Sequence, residues 1–280
     1  MSDILKKIIA AKEDEVARLK SERPLETLLE QAAGLSPALP FAEALRGQRP
    51  RGTATLDGSV NIIAEVKRRS PSKGEFKWHG DAARQASDYE RGGARAISVV
   101  TDGPFFGGDF DLLHTVKTAV GVPVLQKEFL LEPYQVHLAR AIGADACLLI
   151  AAVLEGERLA EMLAVTREVG IGALVEIIDE AEYERASAAG AEVIGVNNRD
   201  LKTFTVDPAR TERLLKAYTD DQVCIAESGI HTPEDINRLL AAGVDGFLIG
   251  EALMTHPDPT GHLRLLRGEA RQPVSLKAAR

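Results

Sequence analysis

The feature of this sequence that most limits its fold is a series of eight short apolar or β-branched runs that alternate with longer amphipathic stretches. The intervening stretches, such as 155–170 and 232–243, carry apolar residues at spacings of three and four and therefore predict helices. Eight consecutive strand-plus-helix units predict an α/β fold, the closed (β/α)8 TIM barrel, whereas an open doubly wound sheet gives no reason for this number. The predicted strands lie at 61–67, 96–101, 123–129, 146–152, 172–178, 193–198, 223–228 and 246–252.

Glycines at the ends of the predicted helices support the same modular pattern. Each suits the left-handed position that ends a helix before the next strand begins. Their irregular spacing is typical of one strand-plus-helix unit repeated around a barrel rather than of a solenoid with a fixed period. These glycines are Gly93, Gly121, Gly143, Gly170, Gly190 and Gly243.

Residues 1–60 do not share the barrel module. Apolar residues from Ile4 to Leu19 mark an amphipathic helix, and shorter apolar clusters follow at 25–29 and 41–45. We predict that residues 1–280 form one domain, in which 1–60 is a helical N-terminal extension and 61–270 is the barrel. The alternative is a separate interaction helix or coiled-coil arm, but fewer than three clean heptads are present.

Composition narrows the classes of function. The formal net charge of −8 disfavours general binding to nucleic acid or to an anionic membrane, so an anionic substrate needs a local basic site. Charges interrupt the first residues, which predicts neither a secretory signal nor a membrane span, and hence a cytoplasmic location. The two cysteines lie in apolar runs and are predicted to be buried, and the six histidines lack metal-ligand spacing. We therefore expect no metal and no cofactor.

Charged and amide side chains occur inside or at the end of the predicted strands. Strands of a parallel barrel are covered on both faces, so such groups need a buried partner or a place at the open carboxyl-terminal mouth. A structural ion-pair network could explain a single Glu–Lys pair, but six groups from five strands favour a catalytic site. The six are Glu65, Lys67, Lys127, Glu176, Asn197 and Glu227.

Two features indicate a phosphate site. Gly229 and Gly250 come just after the seventh and eighth predicted strands, where backbone amides can hold a phosphate dianion. The basic run at 67–74, which includes Ser70, follows the first strand as a loop. This run is either a solvated charged loop or an anion-binding or gating loop, and its attachment to the predicted mouth favours the second interpretation.

At this point the chain resembles the indole-3-glycerol-phosphate synthase family over almost its whole length. The motifs are IIAEVKRRSPSKG at 62–74, VLQKEFLL at 124–131, LVEI at 174–177, GVNNRDL at 195–201, AESGI at 226–230 and GFLIGEALM at 246–254. The resemblance implies ring closure, decarboxylation and dehydration of 1-(2-carboxyphenylamino)-1-deoxyribulose 5-phosphate. It also implies that the N-terminal helices extend over the barrel mouth.

The resemblance further implies roles for individual residues. Lys127 would be the general acid for ring closure, Glu176 and Glu65 would handle protons, and Lys67 would contact a substrate anion. Only the backbone amide of Glu251 is expected to help, because a carboxylate repels phosphate. The implied substrate-binding residues are Asn197, Arg199, Glu227, Ser228, Phe106, Phe129, Leu148 and Leu201, and the implied phosphate-binding residues are Ser70, Gly229, Gly250 and Glu251.

Two other functions remain possible at this stage. Phosphoribosylanthranilate isomerase shares the fold, but that family resembles a barrel that starts near the N-terminus and has a Cys at the end of the first strand, where this chain has Glu65 and Lys67. A non-catalytic phosphate-binding barrel subunit would not need all of Lys127, Glu176 and Glu65. The expected partner is a small phosphorylated molecule, and the expected state is a monomer or a weak homodimer.

Overall fold

The computed structural model describes residues 3–46, 51–53, 56–71, 74–76, 80–200 and 205–269. Eight parallel strands form a closed barrel, which confirms the predicted fold. Each observed strand ends one to three residues before the predicted end, because the last residues of each run leave the ladder to form the mouth. The strands are β1 (Asn61–Val66), β2 (Ala96–Val100), β3 (Val124–Lys127), β4 (Ala146–Ile150), β5 (Gly172–Ile177), β6 (Val193–Asn197), β7 (Val223–Glu227) and β8 (Gly246–Ile249).

Consecutive strands are neighbours around the barrel, and β1 closes it by pairing with both β2 and β8. Ile63 is the register partner of Ala96 on one side and of Leu248 on the other. Two short segments after β1, Arg69–Ser70 and Gly74–Glu75, pair with each other in an antiparallel arrangement. Because all eight strands are parallel, their carboxyl ends meet at one rim of the barrel.

Helices connect the strands and cover the outside of the barrel. They are α1 (Asp3–Glu22), α2 (Leu25–Ala33), α3 (Phe41–Leu45), α4 (Ala82–Arg91), α5 (Gly103–Phe106), α6 (Phe110–Ala119), α7 (Pro133–Ala141), α8 (Arg158–Val169), α9 (Glu180–Ala188), α10 (Arg210–Leu214) with a 3-10 turn (Leu215–Ala217), α11 (Pro233–Ala242), α12 (Glu251–Met254) and α13 (Pro259–Leu266). No helix in these described ranges is long and apolar enough to cross a membrane.

The predicted left-handed glycines are observed at five of the six positions, namely Gly93, Gly143, Gly170, Gly190 and Gly243. The prediction is wrong for Gly121, which does not have a positive φ. There α6 ends at Ala119, and Val120 leaves the helix in an extended conformation with φ −130° and ψ 152°. The chain therefore turns toward β3 without a left-handed residue.

The core consists of two layers. One lies between the helices and the outer face of the barrel, and both cysteines, Cys147 and Cys224, are buried there as free thiols, as predicted. The other fills the barrel interior. At the amino-terminal end of the strands, Phe41 and Leu45 of α3 close this inner layer, and a Cβ built on Gly172 would lie 2.9 Å from the Cβ of Phe41.

The N-terminal helices pack along the barrel from one end to the other. At the base, the backbone N–H of Leu39 donates to Asp145 at 2.8 Å. Beside α7, the Tyr134 hydroxyl donates to the carbonyl oxygen of Arg23 at 2.8 Å. Near the mouth, Lys12 of α1 reaches Glu128, the residue after β3, at 2.9 Å. The extension therefore spans the height of the barrel and does not lie over the mouth alone.

Candidate active site

A cavity of about 1120 Å³, including its opening to solvent, lies at the carboxyl ends of the strands. Almost all of the residues predicted for catalysis or binding line it. They are Glu65, Lys67, Ser70, Phe106, Lys127, Phe129, Leu148, Glu176, Asn197, Arg199, Glu227, Ser228, Gly229, Gly250 and Glu251. The remaining predicted residue, Leu201, lies outside the described residues.

Four ionisable groups of the cavity form one interior layer of the barrel. Glu65, Lys127, Glu176 and Glu227 come from β1, β3, β5 and β7, respectively. Barrel interiors are built in layers to which alternate strands contribute, so these four side chains meet at the same height. The strands that lie between these four must therefore carry small residues at the height of the charged layer.

Glycines on two of the intervening strands leave this space. A Cβ built on Gly195 of β6 would overlap Oε1 of Glu227, and a Cβ built on Gly250, just after β8, would overlap Oε1 of Glu65. Gly250 has φ −118°, which other residues also adopt, so close approach rather than backbone conformation explains this glycine. The position of Gly250 after β8 predicted a phosphate contact alone, and its close approach to the Glu65 carboxylate is evident only in the fold.

Lys127 lies between two buried carboxylates. Its Nζ is 2.6 Å from Oε2 of Glu227 and 3.4 Å from Oε2 of Glu176. Burial acts to lower the pKa of Lys127, but Glu227, Glu176 and Glu65 together raise it well above its ordinary value. The ammonium is therefore fully charged across the physiological pH range.

A second ion pair joins Glu65 to Lys67. The two side chains project to the same side of the chain, as predicted, and the Nζ of Lys67 donates to Oε1 of Glu65. Burial acts to raise the pKa of Glu65, but Lys67 and Lys127 lower it below its ordinary value. Glu65 is therefore an ionised carboxylate in this arrangement. The Lys67 ammonium also lies 5.4 Å from the centroid of the Phe76 ring.

Glu227 differs from Glu65 in its protonation. Burial and the neighbouring Glu176 raise its pKa to about 7 against the opposing effect of Lys127. Its residue is only 1% exposed, and its Oε1 has no hydrogen-bond partner among the described residues. A carboxyl group that titrates near neutrality can both give and accept a proton. The resemblance implied only a binding role for Glu227.

Two aromatic rings, Phe106 and Phe129, form an apolar part of the cavity wall. The ring centroids of Phe106 and Phe129 are 6.1 Å apart, with the planes tilted by 37°. Leu148 of β4 also lines the cavity and is 2% exposed, so it belongs to the barrel interior as well as to the wall. The cavity therefore offers an apolar surface as well as a charged layer.

The loop after β7 contains an unusual backbone conformation. Ser228 has φ +64°, the one positive φ among the described non-glycine residues, and Gly229 follows with φ +73°. Both residues line the cavity, and successive N–H groups of a turn can form a concavity that binds anions. Glu251, at the start of α12, directs its carboxylate to Arg199, with Oε2 and Nη2 3.4 Å apart.

Arg68 and Arg69 of the basic loop contact other residues of the protein and do not extend freely into the cavity or solvent. Arg68 donates to the carbonyl oxygen of Gly107 at 3.1 Å and pairs with Asp109 at 2.6 Å. Arg69 donates to the carbonyl oxygens of Gly103 at 3.0 Å and Pro104 at 2.6 Å. The loop after β1 is therefore bound to the loop after β2. Ser72 and Lys73 lie outside the described residues.

Two buried residues near the site, Asn198 and Lys12, were not predicted from the sequence. Asn198, 1% exposed, donates from Nδ2 to the carbonyl oxygen of Ser228 at 3.1 Å. Lys12, 3% exposed, contacts the residues after β2 and β3. A signal for Lys12 existed, because it lies on the apolar stripe of α1 with Ile8 and Val16, where a lysine needs a buried partner.

A closed (β/α)8 barrel with a charged layer at the carboxyl ends of its strands is typical of (β/α)8-barrel enzymes. The family model of indole-3-glycerol phosphate synthase matches residues 5–266. A protein of that name from Chlorobium luteolum is 45% identical over 257 residues, which cover 92% of this chain and 95% of the relative. One from Desulfosudis oleivorans is 44% identical over 266 residues, which cover 95% and 99%. The chain belongs to the indole-3-glycerol phosphate synthase family.

Solved structures of other enzymes share the fold alone. A thiamine phosphate pyrophosphorylase from Pyrococcus furiosus has a TM-score of 0.56 at 18% identity and covers 74% of this chain and 94% of its own. An N-acetylmannosamine-6-phosphate 2-epimerase from Clostridium perfringens has a TM-score of 0.59 at 17% identity, with 80% and 94% covered. At such identities the likeness concerns the barrel and not the reaction.

Proposed function

We propose that the chain converts 1-(2-carboxyphenylamino)-1-deoxyribulose 5-phosphate to indole-3-glycerol phosphate, with loss of carbon dioxide and water, as a carboxy-lyase of tryptophan biosynthesis. The family and the curated relatives support this reaction. The observation that carries it at the level of chemistry is the Lys127 ammonium between the carboxylates of Glu176 and Glu227 in the mouth cavity. The partner is a small phosphorylated molecule.

Lys127 is proposed as the general acid of ring closure. When the aromatic carbon that bears the carboxylate attacks the ketone, the carbonyl oxygen becomes an alkoxide and needs a proton. The raised pKa of Lys127 means that it releases its proton only to a strongly basic oxygen, and the alkoxide is such a group whereas the ketone is not. Before transfer, the ammonium stabilises the developing negative charge. Loss of carbon dioxide then restores the aromatic ring.

The dehydration step requires proton transfers at the hydroxyl and amine of the ring-closed intermediate. Glu176 is proposed to take part, with Glu65 as its counterpart and Lys67 assisting at a substrate anion. The pKa of about 7 adds Glu227 to this group, because a neutral carboxyl can protonate the leaving hydroxyl while an ionised one accepts a proton. The lowered pKa keeps Glu65 ionised, so it can accept a proton but has none to donate.

Binding is proposed to divide the cavity into two parts. The carboxyphenyl ring would lie against Phe106, Phe129 and Leu148. The phosphate would lie by the loops after β7 and β8, near Ser228, Gly229 and Gly250, with Ser70 contributing from the loop after β1. Asn197 and Arg199 would hold the sugar chain between them. The guanidinium of Arg199 pairs with the Glu251 carboxylate and offsets the negative charge that would otherwise repel the phosphate.

A turnover assay tests the proposed reaction. Purified protein incubated with the carboxyphenylamino sugar phosphate, without added metal or cofactor, is expected to produce the fluorescence of the indole product together with one equivalent of carbon dioxide. The Lys127→Ala variant provides the matched background. Absence of product at every pH tested would reject the proposal, and it would leave the non-catalytic phosphate-binding barrel as the better description.

A parallel assay tests whether the protein has the rival isomerase activity instead of the proposed synthase activity. The same preparation is offered phosphoribosylanthranilate, which an isomerase would convert to the carboxyphenylamino sugar phosphate. We expect no conversion, because the first strand ends in Glu65 and Lys67 rather than in a cysteine.

The remaining parts of the proposal concern organisation. We propose that residues 1–280 fold as one domain, with 1–60 as the extension of a barrel at 61–270, and that the enzyme works in the cytoplasm as a monomer or weak homodimer. Coincident unfolding transitions observed by tyrosine absorbance and by far-ultraviolet circular dichroism would support the single domain. Light scattering across protein concentrations would determine the oligomeric state.

A further inference from the structure

We propose that Lys12 is a positioning residue that joins the two loops carrying the aromatic wall, Phe106 and Phe129, and thereby sets the affinity for the carboxyphenyl ring. This inference rests on the proposed function, since it assigns a determinant of ring binding to that site. Lys12 belongs to the N-terminal helix α1 and does not line the cavity itself.

Lys12 is a buried cation shared by the two loops. Its Nζ lies 3.3 Å from Oδ1 of Asp102, after β2, and 2.9 Å from Oε1 of Glu128, after β3. The side chains of Lys12, Asp102 and Glu128 are only 4%, 1% and 4% exposed, respectively. Glu15, one turn further along α1, is a third partner at 2.5 Å.

Each of the two buried carboxylates also holds the backbone of an aromatic residue. Oδ2 of Asp102 accepts from the N–H of Phe105 at 2.8 Å and from that of Phe106 at 3.1 Å, which caps α5. Oε1 of Glu128 accepts from the N–H of Phe129 at 2.8 Å. One ammonium group is therefore ion-paired with two carboxylates, and each carboxylate accepts a hydrogen bond from the backbone of a residue whose ring forms the wall. The contact with Asp102 is purely ionic, because its Oδ1 accepts no hydrogen bond from the described residues.

The charges explain why removal of Lys12 should move the wall. Burial raises the pKa of Glu128, and the lowering effect of Lys12 opposes it. Without the cation, two carboxyl groups would remain buried close together, and one must then take up a proton or move toward water. Either change weakens a hydrogen bond that now orients Phe106 or Phe129. The hydroxyl of Thr101, which donates to Glu128 at 2.9 Å, cannot replace a charge.

The position of Lys12 makes the expected effect selective. Its contacts lie after β2 and β3, whereas the proposed phosphate loops follow β7 and β8. A substitution at Lys12 should therefore alter binding of the ring and leave binding of the phosphate unchanged. If Lys12 had a purely structural role, its substitution would lower stability without affecting ring binding and phosphate binding differently.

The experiment compares Lys12→Met with Lys20→Met in the full chain. Methionine keeps the length and apolar stem of lysine. Lys20 lies on the same helix and pairs with Glu132, with side chains 49% and 31% exposed. Its ammonium also lies 5.9 Å from the centroid of the Tyr134 ring, so the control removes a cation whose contacts lie outside the two loops of the wall. Affinities are measured for indole-3-glycerol phosphate, which carries an aromatic ring, and for glycerol 3-phosphate, which does not.

We expect Lys12→Met to weaken the affinity for indole-3-glycerol phosphate about tenfold, which corresponds to about 1.4 kcal/mol, with glycerol 3-phosphate affinity within about twofold of wild type. Lys20→Met should change neither. Equal affinities for both ligands in Lys12→Met and wild type would overturn the proposal, as would a parallel loss for both ligands. If Lys12→Met does not fold, the double variant Lys12→Met with Glu128→Gln leaves Asp102 as the one carboxylate of the two without its cation. The ammonium that joins the two loops is still absent, so the selective loss should remain.

Amide hydrogen exchange gives a measurement that does not depend on the reaction. The N–H groups of Phe105, Phe106 and Phe129 should exchange faster in the Lys12 variant, while the N–H of Val124, which donates to Asp145 at 2.7 Å at the barrel base, should not. Unchanged exchange at the three aromatic amides would overturn the proposal. If wild type lacks turnover but the selective exchange is observed, the proposed reaction fails and the structural link from Lys12 to the wall stands.

Discussion

Gly195 of β6 and Glu227 of the neighbouring strand β7 lie so close in the barrel interior that the carboxylate occupies the space that a side chain on residue 195 would need. A Cβ on Gly195 would overlap Oε1 of Glu227, the carboxylate whose other oxygen is 2.6 Å from the Lys127 ammonium. A methyl group at this position would therefore displace Glu227 from Lys127. This contact lies within the layer proposed to carry the chemistry.

We predict that Gly195→Ala lowers kcat by at least about tenfold, because displacement of a carboxylate from an active-site cation changes both charge and geometry. Gly172→Ala is the matched control. A Cβ there meets Phe41 at the base of the barrel, so this variant should lose stability but retain kcat. Thermal unfolding and steady-state kinetics distinguish the two effects. Normal kcat in a folded Gly195→Ala variant would refute the proposed importance of the placement of Glu227.

Asn198 is predicted to hold the turn at Ser228. Its Oδ1 accepts from the Thr211 hydroxyl at 2.8 Å, while its Nδ2 donates to the Ser228 carbonyl oxygen at 3.1 Å. Asn198→Asp keeps the acceptor and removes the donor, so the left-handed Ser228, which costs roughly 1 kcal/mol, should relax to another conformation. We expect KM to rise about tenfold with a smaller change in kcat, since a binding contact is lost.

A double-mutant cycle with Ser228→Gly checks that explanation. Glycine adopts positive φ without a steric penalty, so Asn198→Asp should cost less in the Ser228→Gly background than alone. The Ser228→Gly single variant accounts for any contribution of the serine hydroxyl. Equal costs in both backgrounds would show that Asn198 does not act through the conformation of Ser228.

Glu227 should make stability depend on pH. Its folded-state pKa of about 7 exceeds the unfolded value, so between roughly pH 4.3 and pH 7 the folded state keeps a proton that the unfolded state loses. The free energy of unfolding should therefore fall as pH rises through this window and then level off. Glu227→Gln removes this dependence, so its stability relative to wild type should rise with pH by up to about 3 kcal/mol. Urea unfolding from about pH 5 to about pH 8 measures the difference, and a constant difference would contradict the raised pKa.

Lys127 and Glu176 are predicted to act in different steps. Lys127→Ala should reduce ring closure by at least about 100-fold, because general-acid and electrostatic contributions are both lost, while substrate still binds through its phosphate. Glu176→Gln keeps the shape but cannot titrate, so ring closure should proceed and dehydration should stall. Single-turnover quench experiments that follow carbon dioxide and a dihydroindole intermediate separate the two cases. Arrest of both variants at one point, with no intermediate in either, would disprove this division.

The periodicity of the sequence was sufficient to predict the barrel, because strand and helix repeats of this kind reflect which faces are buried. It also placed the charged layer, since Glu65, Lys127, Glu176 and Glu227 each end or interrupt an apolar run. Boundaries were less accurate at the carboxyl ends of the strands. There the same apolar runs continue into residues that line the mouth, and local pattern does not distinguish a paired residue from one that has left the ladder.

The amino-acid sequence by itself determined the order of strands along the chain, the glycines that end five of the helices and the identity of the groups at the mouth, because these depend on local propensity and periodicity. The tertiary structure decided which charges pair. Closure of the barrel brings Lys127 to Glu227, 100 residues away, and the packing of α1 brings Lys12 to Asp102 and Glu128. Such contacts depend on which residues the fold brings together in space. The fold also decides how deeply Glu227 is buried, and this burial raises its pKa.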